Sequence, residues 1–177
     1  MEIIIKVFGI TDVMEYVTFI ARWLHVLCGV MWVGLLWYFN FVQTPTVPTM
    51  PDELKPAIPK HIMPVALFYF RWAALGTLIF GLLLAWMKGY IGDALAIGLT
   101  SGAARDASIG IGMWLGIIMA FNVWFIIWPN QQKLIGLVEC AAEDKPPLAR
   151  AAALASRTNT MLSIPMLYAM VSAQNLY

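Results

Sequence analysis

Four ionisable side chains, Arg22, His25, Arg71 and Arg157, stand inside long apolar stretches of the chain. In lipid each such group needs a partner, a cavity or a route back to the headgroups. Arg22 is close enough to the end of its stretch to snorkel. Arg71 and Arg157 fall at equivalent depth in the second and fourth stretches. With Asn40 and Asn122 they compose a cationic, hydrogen-bonding pocket suited to carboxylates, either haem propionates or an organic anion. The same side chains also suit plain interhelical bonding. Two chemistries are open to His25, the one histidine well within a stretch: an interhelical hydrogen bond, or axial ligation of haem iron through a neutral imidazole. Trp23, Trp32, Trp37 and Trp72 could wall a macrocycle, although the same residue types form interfacial belts. His61 lies on the order of 20 Å from His25 in depth. A sixth ligand would therefore come from Met113, Met166 or Met170, or the position stays open.

The elements that must position these groups follow from composition. Of the 177 residues 61% are hydrophobic and only 12% charged, and mean hydropathy is +0.76. A soluble domain carries about 25% charged residues, so lipid is the expected solvent. The net charge of +1 and the scattered Lys and Arg exclude a nucleic-acid partner. Cys28 and Cys140 form no CxxC or CxxCH, which excludes covalent c-type haem and structural zinc. Nucleotide-binding loops, Ser/His/Asp arrangements and paired carboxylates are absent from the sequence, and the acidic residues are read as lying in the N-terminal segment or loops. The segment from Met1 to Tyr16 lacks the layout of a cleaved signal. Its Glu2 to Phe8 stretch is expected to lie along the interface or to extend the first helix.

About 20 apolar residues span a bilayer core, and four helices qualify in a single domain over 1–177: 16–42, 62–87, 107–128 and 151–176. The first is expected to end before Pro45 and the third at Pro129. Arg157, Asn159 and Ser163 lower the hydropathy of the fourth, which implies a protein-facing side. The fold class is thus all-α, an integral membrane four-helix bundle. Its two helical hairpins are related as a parallel repeat, because Met31-Trp32-x-Gly34 with Phe39-Asn40 recurs as Met113-Trp114-x-Gly116 with Phe121-Asn122. Gly112 and Gly116 give a GxxxG spacing for close helix approach. Lys55, Lys60, Lys133, Lys145 and Arg150 flank one end, against Lys6, Lys88 and Arg105 at the other. The positive-inside rule then puts both termini in the periplasm of a bacterial inner membrane.

Four stretches together resemble the N-terminal domain of the membrane-bound urate oxidase (urate hydroxylase) family. The first is Trp23-Leu24-His25 through Gly29, Trp32, Gly34 and Tyr38-Phe39-Asn40-Phe41. The second runs from Met63-Pro64 to Arg71-Trp72. The third is Asn122-Val123-Trp124 with Trp128-Pro129-Asn130-Gln131-Gln132. The fourth is Ser156-Arg157-Thr158-Asn159-Thr160 with Leu162 to Met166. The first helix also looks loosely like those of four-helix haem membrane proteins, such as the bacterial protoporphyrinogen oxidase and copper-resistance membrane families. The urate family joins an eight-helix membrane domain to a C-terminal cytochrome c domain, so the resemblance implies substrate oxidation with electrons leaving through c-type haem. This chain reads as a truncated four-helix form without that cytochrome domain, which leaves membership of a membrane redox family.

The resulting expectation is a small membrane redox protein that binds haem b through His25, with Arg71, Arg157, Asn40 and Asn122 around it. It would exchange electrons with a c-type cytochrome or a respiratory complex, as an oxidoreductase if it is an enzyme. Two alternatives stay open: a cofactor-free accessory subunit of a membrane complex, and a binding site for a purine-like anion.

Overall fold

The computed structural model describes residues 12–177, so the expected position of Glu2 to Phe8 falls outside the described residues. The described chain is all-α, with four long helices. The Asp12 carboxylate opens α1 (Val13–Thr49), accepting the Met14 N–H at 2.8 Å, and Glu15 in the first turn adds to the favourable interaction with the helix dipole. Then follow α2 (Ile58–Met87), the short α3 (Ile91–Leu95), α4 (Ala104–Leu134) and α5 (Lys145–Asn175). By length and composition α1, α2 and α4 can cross a membrane. Glu15 and Asp106 sit in the first turns of α1 and α4, whereas the sequence reading keeps all acidic residues off the helices.

Proline corrects two expected helix ends. α1 runs on through Pro45, and α4 through Pro129. Proline lacks an N–H and its ring presses on the carbonyl four residues back, which normally breaks a helix. Here a widened π turn absorbs both problems. Just before each proline the N–H reaches back five residues: Thr44 to the Phe39 carbonyl, Met63 to Ile58, and Trp128 to Val123. Pro45, Pro64 and Pro129 each stand second in the α segment that follows. The turns Tyr38–Gln43 and Asn122–Ile127 therefore recur at matching places in α1 and α4.

α1 packs along α2, and α4 along α5, giving two antiparallel hairpins that meet through α2 with α4 and α1 with α5. Their shared core holds Trp32, Leu36, Phe39, Phe70, Met119 and Val123. The MWxGxxxxFN segments occupy different environments: Trp32 and Phe39 are buried, whereas Trp114 and Phe121 face outward. The GxxxG spacing is not where backbones come closest. Gly112 faces Met170 and Gly116 faces open space, while at Gly110 a Cβ would run into the Ala94 carbonyl oxygen of α3.

The fourth long helix, α5, is tied in by polar contacts. Ser156, Asn159, Thr160 and Ser163 recur at three- and four-residue spacing, and Asn159 and Ser163 are fully buried. Trp37 donates its indole N–H to Ser163 at 2.9 Å, and the Asn159 amide donates to the Met119 carbonyl at 2.8 Å. In lipid, packing and such bonds replace the hydrophobic drive between helices.

Candidate functional site

His25 is half-buried on the face of α1 that meets α2. Its Nδ1 lies 2.8 Å from the main-chain carbonyl of Thr77. A carbonyl only accepts, so Nδ1 carries the proton, and in the neutral ring Nε2 keeps its lone pair. This is the tautomer in which histidine ligates metals through Nε2, its ring oriented by the second hydrogen bond. Room for the ring comes from Gly81, where an added Cβ would stand 2.8 Å from both Cε1 and Nδ1. Cys28, one turn along, lies likewise against Gly76.

Arg71 lies six residues before Thr77, about 9 Å along α2. Its guanidinium carbon stands 3.7 Å from the ring centroid of Trp128, and 5.9 Å from those of Phe68, Trp72 and Trp124. Trp124 also donates its indole N–H to the Arg71 carbonyl at 3.1 Å. Aromatic faces stabilise a cation by roughly 0.5–2 kcal/mol each, depending on desolvation. Rings from α2 and α4 thus shelter a charge that apolar surroundings would otherwise penalise. The signal was present in the sequence as aromatic residues at i−3 and i+1 of Arg71 and at Trp124 and Trp128 one turn apart, but no sequence pattern joins the two helices.

The other expected site residues are placed separately. Arg157 is exposed on α5, which stands diagonally across the bundle from α2. Asn40 donates to the Leu36 carbonyl at 2.9 Å and to the Ser156 hydroxyl at 2.8 Å, and Asn122 donates to the Asn159 side-chain oxygen at 2.8 Å. Both asparagines therefore fasten other helices to the polar stripe of α5. Arg71 instead joins the tryptophans of α4. His61 is exposed in the opening turn of α2. Met166 is buried in the core, and Met113 and Met170 pack beside Ala94, Ile109 and Ala173. Trp23 and Trp72 face outward, whereas Trp32 is 1% exposed. Among the described residues no three His, Cys, Asp or Glu side chains gather as a metal site.

Two buried donors of the first hairpin, Trp32 Nε1 and Arg71 Nε, have no partner among the described residues. An unmet buried donor costs about 1–3 kcal/mol, so each marks a place where a ligand acceptor would be stabilising.

These features define an all-α protein that carries buried polar groups on long helices, three of them apolar enough to cross a membrane. Residues 94–176, just under half of the chain, match the family model described as urate oxidase N-terminal, and this supports a relation to that family. The matched span contains the Asn122 to Gln132 and Ser156 to Met166 stretches, but not His25 or Arg71. No curated protein and no solved structure matches the chain.

Proposed function

We propose that the chain is a redox protein of the bacterial inner membrane, a four-helix bundle in which His25 holds a b-type haem. The single observation behind this reading is the His25 Nδ1 bond to the Thr77 carbonyl, which fixes the ring and leaves Nε2 as the donor atom for iron. Bonding to a main-chain carbonyl is also what an interhelical tie alone requires, so the haem assignment rests on Nε2. Arg71, on the same hairpin and with an unpartnered Nε, would supply charge to a propionate. Arg157 at the surface of α5 is a second cation for a carboxylate. Asn40 and Asn122 hold the helices and position the site rather than meeting the ligand. When bound, haem supplies a one-electron couple, and the partner would be a separate c-type cytochrome or a respiratory complex. The surrounding membrane lipid excludes water from the site.

The test is a spectrum of the full chain made under haem-replete conditions and purified mildly. A Soret band and a pyridine haemochrome of the b type are expected. His25→Ala should abolish them, and exposed His61→Ala should leave them unchanged. If the wild-type protein shows no haemochrome, or His25→Ala keeps it, the haem assignment fails and a cofactor-free accessory subunit is the better reading. Saturable binding of a purine-like anion lost in Arg71→Leu would instead favour the anion site.

A further inference from the structure

A second cluster of cations lies at the other end of α2 from His61, its Arg22 one helical turn before His25 on α1. Where α2 ends and α4 begins, an open cavity of about 330 Å³ is lined by Arg22 from α1, Lys88 and Tyr90 after α2, Arg105 from α4, and Gln174 from α5. Four long helices or their ends contribute to it. Among the described residues the ion pair present joins Lys55 to Asp52 at the opposite end, so none of the three cavity cations is paired. Arg105 lies over the Tyr90 ring at 5.4 Å, a stacking contact that does not itself use its N–H donors.

Tyr90 reports how these charges converge. Burial raises its hydroxyl above the ordinary tyrosine range, while the Arg105 and Arg22 charges pull it back down and Asp106 acts with burial. The phenol is therefore neutral at physiological pH and able to donate. Three cations, a phenol and a carboxamide in one cavity form a donor set for a phosphate oxyanion.

Depth narrows the source. The cavity sits between the end of one apolar helix at Met87 and the start of another at Ala104, which is the headgroup level for helices that span a bilayer. Basic pockets between membrane helices are suited to anionic headgroups. Arg22 thus does more than snorkel: its charge arrives beside two others from different helices.

We propose that Arg22, Lys88 and Arg105 form a binding site for a phosphate-bearing anion, supplied by the headgroup of an anionic phospholipid. The full-length protein in detergent is titrated with phosphatidylglycerol, phosphatidylcholine or inorganic phosphate, and bound ligand is read by native mass spectrometry and by thermal shift. Phosphatidylglycerol should bind about tenfold more tightly than phosphatidylcholine, and Arg22→Gln and Arg105→Gln should each weaken it about tenfold. Arg22→Lys with Arg105→Lys keeps the charge and should retain most of the binding, which separates loss of the site from loss of the fold. Protection by inorganic phosphate that both Gln variants remove would support the site with a free anion as its source. Equal binding of the two lipids without a phosphate effect overturns the proposal. So does an equal loss of binding in Lys133→Gln with Lys145→Gln, at the far end of the molecule.

Discussion

At the scale of single residues, the decisive contacts are made to the main chain or to atoms that are missing. His25 bonds a carbonyl, and its ring fits because Gly81 has no side chain. Gly81→Ala should therefore displace the imidazole and lower haem occupancy at least tenfold, while the chain still inserts, since alanine favours a helix. Gly34→Ala meets nothing within 4 Å and should leave the spectrum unchanged. Absorbance at equal protein concentration checks both. Arg71→Leu should also insert, because leucine is cheaper in lipid than arginine, yet lose the ring contacts of Phe68, Trp72, Trp124 and Trp128. A several-fold weaker carboxylate or haem occupancy is expected, and full occupancy would make Arg71 purely a helix tie. That His25 and Arg71 stand within long apolar helices was legible in the sequence. Their neighbours were not, because a carbonyl belongs to every residue and only the register of α1 on α2 selects Thr77.

At the scale of elements, hydropathy found the long helices and proline misled at their ends. A proline inside a helix costs about 3 kcal/mol when nothing adjusts, which is why Pro45 and Pro129 read as stops. A wider turn before each removes the conflict, a solution invisible to a pattern of residue types. The fourth helix shows the converse: Asn159 and Ser163 lower its hydropathy because they face protein, as their sequence position implied. Asn159 accepts from Asn122 and donates to the Met119 carbonyl. Asn159→Leu should destabilise the folded protein in detergent by about 1–3 kcal/mol, through the Asn122 side-chain amide left without its acceptor. A double-mutant cycle with Asn122→Leu should give a coupling of roughly 0.6–1.7 kcal/mol, from the average to the maximum found for hydrogen bonds between membrane helices. Additive effects of the two substitutions would show that the pair carries no interaction.

At the scale of the whole molecule, orientation is decided by cations near the helix ends, and the structure redraws which cations those are. Lys60 lies in the opening turn of α2, Lys133 in the last turn of α4, and Lys145 and Arg150 in the first turns of α5, so with Lys55 they still gather at one end. The opposite end holds Lys88 and Arg105, to which the cavity adds Arg22 from within α1. That addition narrows the bias. The end bearing Lys55, Lys60, Lys133, Lys145 and Arg150 should thus remain cytoplasmic, by the rule that basic residues close to helix ends stay inside. A fluorescent reporter inserted in the 50–57 loop should light up, and alkaline phosphatase fused after Tyr177 should be active in the periplasm. Because the margin is small, Lys133→Gln, Lys145→Gln and Arg150→Gln together should produce a mixed population, with phosphatase activity falling by a half or more. Phosphatase that is active in the 50–57 loop and silent after Tyr177 would reverse the orientation, and would place the Arg22, Lys88 and Arg105 cavity against the cytoplasmic leaflet instead.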